Sequence, residues 1–392
     1  MSSTSEPPSP HRLVAELKAS GSLRDPAIEA ALLAVPRHLF LPDVELEQVY
    51  SDRSIPIKRD ASGVVVSSSS QPTMMIIMLE QLRLSRGHNV LEIGAGTGYN
   101  AALIQHIVGA RGRVTTIEID KDLAEWARDA LQRAGMTQVT VVETDGAGGY
   151  PPRAAYDRII ATAGIWDVPR AWTKQLKSKG VLVAPLWLEA LQVSAAFIPQ
   201  PDGTLISRDN RLCGFVQLRG LAAGPSTHVR VGSSTLYLTS DSPSLDGAAI
   251  NALLSEDAED ASLGTLLEAD EYWHGFAPYL MLNTPRDLVF AGYSAGDDGQ
   301  TPYGIGGTGF AVIGRGSACF IPIRGRGQMR AFGSADAQLA LQDALADWNR
   351  AGRPTIASLC LRLYPANRPA PAVDVGKVYS RRDHHVHAWL EV

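Results

Sequence analysis

The stretch Asn89-Val90-Leu91-Glu92-Ile93-Gly94-Ala95-Gly96-Thr97-Gly98-Tyr99 constrains this chain more than any other. An apolar strand, Val90 to Ile93, runs straight into a Gly-x-Gly-x-Gly turn. A helical pattern then opens at Tyr99 and continues through Ile107. Glycines let a backbone turn sharply and approach a ligand where a Cβ would clash. Strand–loop–helix units of this kind hold nucleotide-like ligands at the carboxyl edge of a doubly wound α/β sheet. The motif therefore predicts an adenosine-containing ligand.

The spacing narrows the choice. A dinucleotide site calls for Gly-x-Gly-x-x-Gly, and a P-loop calls for Gly-Lys-Ser/Thr; the chain has neither here. The next strand, Arg113 to Glu118, ends in an acid roughly twenty residues past the loop, where a carboxylate can accept from ribose hydroxyls. A third strand, Val139 to Glu143, leads to Thr144-Asp145-Gly146, where an acid could reach an adenine amino group. A glycine loop, a ribose acid and an adenine acid on three consecutive strand ends resemble the class I S-adenosylmethionine (SAM) methyltransferases. That resemblance implies a Rossmann-like doubly wound sheet, with SAM as cofactor and S-adenosyl-L-homocysteine (SAH) as product.

The flanking residues sharpen the reading. Ser67-Ser68-Ser69-Ser70-Gln71-Pro72 precedes a helical run, Thr73 to Leu84, with apolar Met75, Ile76, Leu79 and Leu82. Pro72 suits a first helical turn, where its missing N–H is not needed. Ser70 sits where a hydroxyl and free amides could meet a carboxylate. Upstream lie Val35-Pro36-Arg37-His38-Leu39-Phe40 and Tyr50-Ser51-Asp52. Downstream lie Asp145-Gly146-Ala147-Gly148-Gly149, Tyr156-Asp157-Arg158-Ile159 and Gln175-Leu176-Lys177-Ser178-Lys179-Gly180. In this order, over residues 23 to 220, the blocks resemble the protein-L-isoaspartate O-methyltransferase family. The resemblance implies that Gly94, Gly96 and Gly98 lie at the methionine end of SAM, Glu118 at ribose, and Asp145 with Gly146 at adenine. Glu92, Tyr99 and Ile119 join the implied cofactor set. Ser70 is the implied catalytic contact to the substrate carboxylate, with Ser69, Gln71, Asp52 and Trp166 around the substrate.

The chain also departs from that family. A serine run replaces the usual Thr-Ile-Ser, Lys179-Gly180 replaces a glycine pair, and Trp166 follows the fourth strand. The chain also continues well past the point where family repair enzymes end. This long form resembles methyltransferases found beside ribosomally made peptide natural products, where the substrate is an aspartate in a modified precursor peptide. The first reading is therefore methylation of an aspartyl or isoaspartyl carboxylate in such a peptide, leading to aspartimide. The alternatives are repair of isoaspartyl residues in damaged proteins, or a catalytically silent SAM- or peptide-binding module. A carboxylic acid is already ionised at neutral pH, so the reaction needs no general base. That fits the lack of a His–acid pair near the loop.

Composition sets the outer bounds. A length of 392 residues predicts two domains. The formal charge of −5 argues against nonspecific nucleic-acid binding, which needs a basic face. Cys213, Cys319 and Cys360 form no CxxC and suit a reducing cytosol. Residues 1–10 lack signal-peptide features and read as a disordered tail. No apolar stretch reaches membrane-spanning length. The expectation is a cytoplasmic protein, favoured as a monomer, with no membrane or metal partner. Residues 11–222 form the expected methyltransferase domain, and residues 227–392 an α+β, strand-rich accessory domain. Gly220 to Ser226 is the candidate linker. Strands are expected at 181–186, 192–198, 212–218, 236–238, 288–291, 310–313 and 319–323, with helices at 247–254 and 335–348. Pro199-Gln-Pro-Asp-Gly203 reads as a hairpin turn.

Three motifs of the second half read as decoys. Gly292-x-Ser294-x-Gly296 follows an apolar strand, but Asp297-Asp-Gly-Gln-Thr-Pro302 is turn chemistry and not the helix a nucleophile elbow needs. Gly304-x-Gly306-x-x-Gly309 leads into a strand pattern and reads as a hairpin or bulge. His384, His385 and His387 read as surface and edge residues of a terminal strand. Arg315, Arg324, Arg326 and Arg330 read as a solvated sheet edge, with contact to an acidic peptide as the functional alternative.

Overall fold

The computed structural model describes residues 7–296, 301–324 and 327–391. They divide into two compact units. The first comprises Met1–Leu186, Ser194–Ile206 and Cys213–Gly224; the second comprises Trp187–Val193, Ser207–Leu212 and Pro225–Val392. The chain thus makes two short excursions into the second unit before it enters it for good at Pro225.

Two capped helices open the first unit. Helix α1, Pro10–Ala19, begins inside the segment expected as tail, because the Ser9 hydroxyl accepts the Arg12 N–H at 3.2 Å. Helix α2, Pro26–Ala34, is capped by Asp25 in the same way, and both helices carry proline in the first turn. A 3-10 turn at Arg37–Phe40 and the short helix α3, Leu46–Val49, follow. Strands β1, Ile55–Arg59, and β2, Val65–Ser69, form an antiparallel hairpin. Helix α4, Pro72–Leu82, starts directly after it, with Pro72 in its first turn.

The alternating part then runs β3 (Asn89–Ile93), α5 (Tyr99–Val108), β4 (Arg113–Glu118), α6 (Lys121–Arg133), β5 (Thr140–Glu143), β6 (Tyr156–Ala161), α7 (Arg170–Gln175), β7 (Leu176–Leu188), β8 (Leu191–Pro199) and β9 (Leu205–Ser207). β3 pairs in parallel with both β4 and β6, β4 with β5, and β6 with β7. Helices cover both faces of such strands, so β3 is apolar almost throughout: Val90, Leu91 and Ile93 are buried. The chain leaves β3 toward β4 and β5, then returns to β6 on the other side. That reversal puts a topological switch point beyond the end of β3, where ligands of open α/β sheets bind. One face of the unit is filled by Leu13, Ile28, Leu32, Ile76, Leu79, Leu103 and Ile104 from α1, α2, α4 and α5. Each such burial contributes about 1.5–3 kcal/mol.

The turn at residues 199–203 forms as expected, but its partner strand is β9, with Ile198 opposite Ile206. The strand expected at 212–218 does not form as a unit. A short strand β10, Asn210–Leu212, ends there, and the chain continues irregularly.

The second unit carries a seven-stranded antiparallel sheet. Its strands are β11 (His228–Arg230), β12 (Leu236–Thr239), β13 (Ala258–Ser262), β14 (Val289–Ala295), β15 (Thr308–Ile313), β16 (Ser317–Pro322) and β17 (Gln328–Gly333), in the order β11-β12-β14-β15-β16-β17-β13. Helix α8, Gly247–Leu254, packs Ile250, Leu253 and Leu254 into the core with Leu236, Leu238, Phe320 and Phe332. After α9 (Ala277–Asn283) and α10 (Asp336–Arg350), three antiparallel strands close the chain: β18 (Leu359–Pro365), β19 (Lys377–Ser380) and β20 (His384–Leu390).

The decoys resolve into this architecture. Ser294 lies inside antiparallel β14, opposite Tyr237 and Thr308, and not at a strand-to-helix turn; residues 297–300 lie outside the described chain. Gly309 faces Pro322 in the β15–β16 ladder, where a Cβ would lie 2.1 Å from the Ile321 carbonyl oxygen. None of the three histidines lies on an edge strand, and only His385 stays partly exposed. β20 is the middle strand of its three, His384 and His387 are buried, and the His387 ring stacks on Trp389 at 4.5 Å. Alternation alone could not tell a middle strand from an edge. Arg330 is tied to Asp260 and to the Tyr303 carbonyl, and Arg326 lies outside the described residues. Among the described residues no group of three or more His, Cys, Asp or Glu could hold a metal ion, and no helix is long and apolar enough to cross a membrane.

Candidate active site

A cleft in the first unit lies at the carboxyl ends of β3 and β4. Its walls come from Ser67–Ser70, the loop Gly94–Thr97, Glu118–Ile119 and a returning segment, residues 215–219. Every one of the four serines lines it. The sequence reading assigned roles to Ser69 and Ser70 and left Ser67 and Ser68 without one.

The glycine loop is shaped by two different demands. Gly94 has φ +100°, and a Cβ there would lie 2.6 Å from Thr162 Oγ1. Thr162 in turn donates to the carbonyls of Gly94 (2.7 Å) and Ile93 (3.1 Å). The loop backbone is therefore pressed against the end of β6, with Gly94 and Gly96 facing the cleft. Gly98 does not line it. It starts α5 at φ +84°, and its Cβ would crowd Ala127 and Leu131 of α6 at 3.3 Å. A glycine there permits the close packing of α5 on α6.

Glu118 stands at the cleft, 6 % exposed. One carboxylate oxygen accepts the Gly96 N–H at 2.9 Å, and the other accepts the amides of Ile119 (2.9 Å) and Asp120 (3.2 Å). A single side chain thus fixes the loop of β3 to the end of β4. The oxygen that accepts Gly96 keeps acceptor capacity for a hydroxyl, while the other is filled by its two amides. Ile119 lines the cleft beside it and is 38 % exposed, so a flat apolar ring could lie on it. Tyr99 also lines the cleft, with its ring 5.3 Å from Phe40; burial raises its pKa.

Several expected contacts fall elsewhere. Glu92 is fully buried beneath the loop and does not line the cleft. Its oxygens accept from Asn100 Nδ2 (2.7 Å) and Thr116 Oγ1 (2.6 Å). Burial, opposed by these two bonds, pushes its carboxyl up to about 7. It acts on the cleft through Asn100, which does line it. Gly146 lines the cleft, but the Asp145 carboxylate is turned into local structure. One oxygen accepts the Ala147 N–H at 2.8 Å and the other the Leu221 N–H at 2.7 Å. Asp52 and Gln71 also lie outside the lining. Asp52 accepts the amide and hydroxyl of Thr73 (both 2.8 Å) and the Gln71 side-chain amide (2.9 Å), so it caps α4. Trp166 is half-buried outside the cleft, packed where a Cβ on Gly224 would meet it at 2.4 Å.

Two features were missed from the sequence. Residues 215–219 cross the cleft as a strap. Gly164 donates to the Val216 carbonyl and accepts from Leu218, both at 2.8 Å. Arg219 then forks onto Asp120 at 2.6 and 3.1 Å and holds that carboxyl below the ordinary range. The candidate linker beyond it is likewise engaged, through Leu221 and Gly224. The second feature is Arg37, fully buried behind the serines. It donates to the carbonyls of Val49 (3.0 Å), Ser51 (3.4 Å) and Ser70 (2.9 Å) and to Ser69 Oγ (3.1 Å). No signal in the sequence distinguished it from the rest of its block.

The cleft therefore offers a backbone wall free of side chains, an acid held at a fixed place, apolar surface beside it, and hydroxyls at the far side. No histidine lines it. These parts fit an adenosine with a charged tail, and they suit chemistry that needs alignment and not proton transfer.

Comparison with known proteins agrees. Residues 9–223 match the family model "Protein-L-isoaspartate(D-aspartate) O-methyltransferase (PCMT)". The chain is 41% identical over 210 residues to a protein-L-isoaspartate O-methyltransferase of Methanopyrus kandleri, a match covering 53% of this chain and 90% of that one. It is 40% identical over 214 residues to one of Pyrococcus horikoshii, covering 53% and 92%. A solved structure titled protein-L-isoaspartate O-methyltransferase covers 98% of this chain and 100% of its own, at 25% identity and a TM-score of 0.53. Enzymes of this kind are SAM-dependent carboxyl methyltransferases. The chain belongs to the protein-L-isoaspartate(D-aspartate) O-methyltransferase family.

Proposed function

We propose that this enzyme methylates the side-chain carboxylate of an aspartyl or isoaspartyl residue in a peptide and so promotes succinimide formation. The observation that carries this reading is the pairing of a glycine- and acid-lined cleft with a wall of four consecutive serines. SAM, when bound, supplies an electrophilic methyl group on a sulfonium. Gly94, Gly96, Glu118, Ile119 and Gly146 are the residues that would hold it, and Tyr99 would shape its far end.

The chain's own work is positioning. Ser70 lines the cleft and its hydroxyl has no partner among the described residues, so it is free to donate to an incoming carboxylate. The carboxylate is anionic at neutral pH, and no protein group needs to take a proton from it. Residues 215–219 wall one side of the cleft, and water displaced from there on substrate binding would strengthen each hydrogen bond made. A methyl ester is a better acyl donor than a free acid. In the released peptide the following backbone nitrogen attacks the ester carbonyl. The N–H proton leaves with methoxide as methanol, and the ring closes. Water later opens the ring to aspartyl or isoaspartyl.

Two biological settings remain in play. Tailoring of a dedicated ribosomal peptide at an aspartyl residue is the first reading, with the residues beyond the family match at 9–223 as the part that would take such a peptide. Repair of isoaspartyl residues is favoured by the solved structure of that title that spans the whole length of this chain; length alone does not separate the two. The deciding experiment is incubation with SAM and two matched peptides, one aspartyl and one isoaspartyl, read by mass spectrometry for gain of a methyl group or loss of water. Methylation of only the isoaspartyl peptide selects repair. Methylation of the aspartyl peptide selects tailoring. A chain that binds SAH but modifies neither peptide, nor a precursor encoded beside it, is not the proposed enzyme.

A further inference from the structure

Arg37 is a fully buried guanidinium with no carboxylate in salt-bridge range among the described residues. It is held by three carbonyls and one hydroxyl, its Nε has no hydrogen-bond partner, and its guanidinium lies 5.9 Å from the centre of the Tyr99 ring. A cation so placed costs several kcal/mol unless something compensates it; Tyr99 and the Asp52 carboxylate act on it through space, and two of the four groups it bonds, at Ser69 and Ser70, belong to the serine wall of the cleft. Its bond to Ser69 Oγ has a chemical consequence. A hydroxyl carries one proton and two lone pairs. When Arg37 occupies a lone pair, the Ser69 proton must point elsewhere, and the charged donor makes it a stronger donor in turn. Ser69 is 5 % exposed, it lines the cleft, and no second partner for its hydroxyl exists among the described residues.

We infer that Arg37 is a positioning residue that turns the Ser69 hydroxyl into the cleft, where Ser69 and Ser70 together grip the substrate carboxylate. This rests on the carboxyl-methylation reading above and adds the device that selects an anion. Two adjacent donors restrict rotation of the carboxylate and leave a lone pair for the methyl group. The buried positive charge behind them draws an anionic side chain over its neutral amide. The substrate oxygen loses charge as the ester forms, so these bonds are stronger before reaction than at the transition state. Their contribution is to substrate binding, and their removal should raise KM without lowering kcat.

The test compares wild type, Ser69→Ala and Ser69→Thr on whichever of the two matched peptides the wild type modifies. Thr keeps the hydroxyl and suits a strand position. Loss of a hydrogen bond to a charged group should raise the peptide KM of Ser69→Ala by roughly tenfold to a hundredfold. Its kcat should change less than about twofold, and Ser69→Thr should stay near wild type. SAH affinity by calorimetry should be equal in all three. The dead-end complex with SAH should bind the carboxylate peptide better than its amide counterpart, and Ser69→Ala should shrink that preference. A crystal of that complex should place Ser69 Oγ about 3 Å from a substrate oxygen. An unchanged KM in Ser69→Ala, or a KM rise shared by Ser69→Thr, overturns the inference alone. A wild type that binds SAH but neither binds nor methylates either peptide overturns the functional reading and this inference together.

Discussion

Replacing Gly94 with alanine tests whether the glycine loop is as tightly pressed as its geometry says. Gly94 has φ +100°, a region that costs a side-chain-bearing residue about 1–3 kcal/mol. The new Cβ would also lie 2.6 Å from Thr162 Oγ1. Relief requires Thr162 to move, and its single hydroxyl proton, shared between the carbonyls of Gly94 and Ile93, is worth about 1 kcal/mol. Gly94→Ala should therefore destabilise by about 2–4 kcal/mol. Thr162→Ala alone should cost about 1–2 kcal/mol. In the double variant the collision is gone but the backbone strain stays, so the pair should cost about 1–2 kcal/mol less than the two separate losses together. Urea unfolding at constant m gives these values, and calorimetry with SAH reports the cleft. SAH affinity of Gly94→Ala should fall at least about tenfold. A Gly94→Ala variant within about 0.5 kcal/mol of wild type, binding SAH normally, would refute the close-approach argument. Additive losses in the double variant would refute the part assigned to Thr162.

Other perturbations separate binding, strap and carboxyl roles. Ser70→Ala should cut kcat/KM for the peptide at least about tenfold while SAH binding by calorimetry stays as in wild type; an unchanged kcat/KM removes Ser70 from the mechanism. Glu92 is raised to about 7 by burial, so the folded state holds a proton that the unfolded state releases near pH 4.5. Its contribution should be fully present below that value and fade as pH rises through 7, by up to about 3 kcal/mol. Urea unfolding between pH 4 and 8 checks this, and Glu92→Gln should flatten the profile. Arg219→Ala opens the fork to Asp120. Arg219 is about two-fifths exposed at its side chain, so screening limits the pair to at most about 1 kcal/mol. SAH should then bind up to about fivefold more weakly, with the difference shrinking at high salt in stopped-flow release.

The parts of the cleft that were legible were those written by neighbours in sequence. The strand into Gly94, the helix from Tyr99, the acid at Glu118 and the proline start of α4 each follow from local period, turn chemistry and capping. They fall where residues 72–118 predicted. The carboxylates whose side chains are engaged away from the cleft share one trait: a competing protein partner. Glu92 found Thr116 and Asn100, Asp52 found the first turn of α4, and Asp145 found Ala147 and Leu221. A carboxylate is satisfied by the nearest N–H or O–H as readily as by a ligand, and motif spacing does not count such donors.

By itself the sequence determined that an α/β sheet would present a glycine loop and an acid on adjacent strand ends, because helix and strand periods and glycine's freedom are properties of short segments. Only the tertiary structure decided what surrounds that pair. Arg37 meets Ser69 and Ser70 across more than thirty residues, and Arg219 reaches Asp120 across nearly a hundred. β20 becomes a middle strand only once β18 and β19 take their places beside it. Burial, charge pairing and strand neighbours are set by chain segments that meet in space, and the period of any one segment carries no record of which segment it will meet.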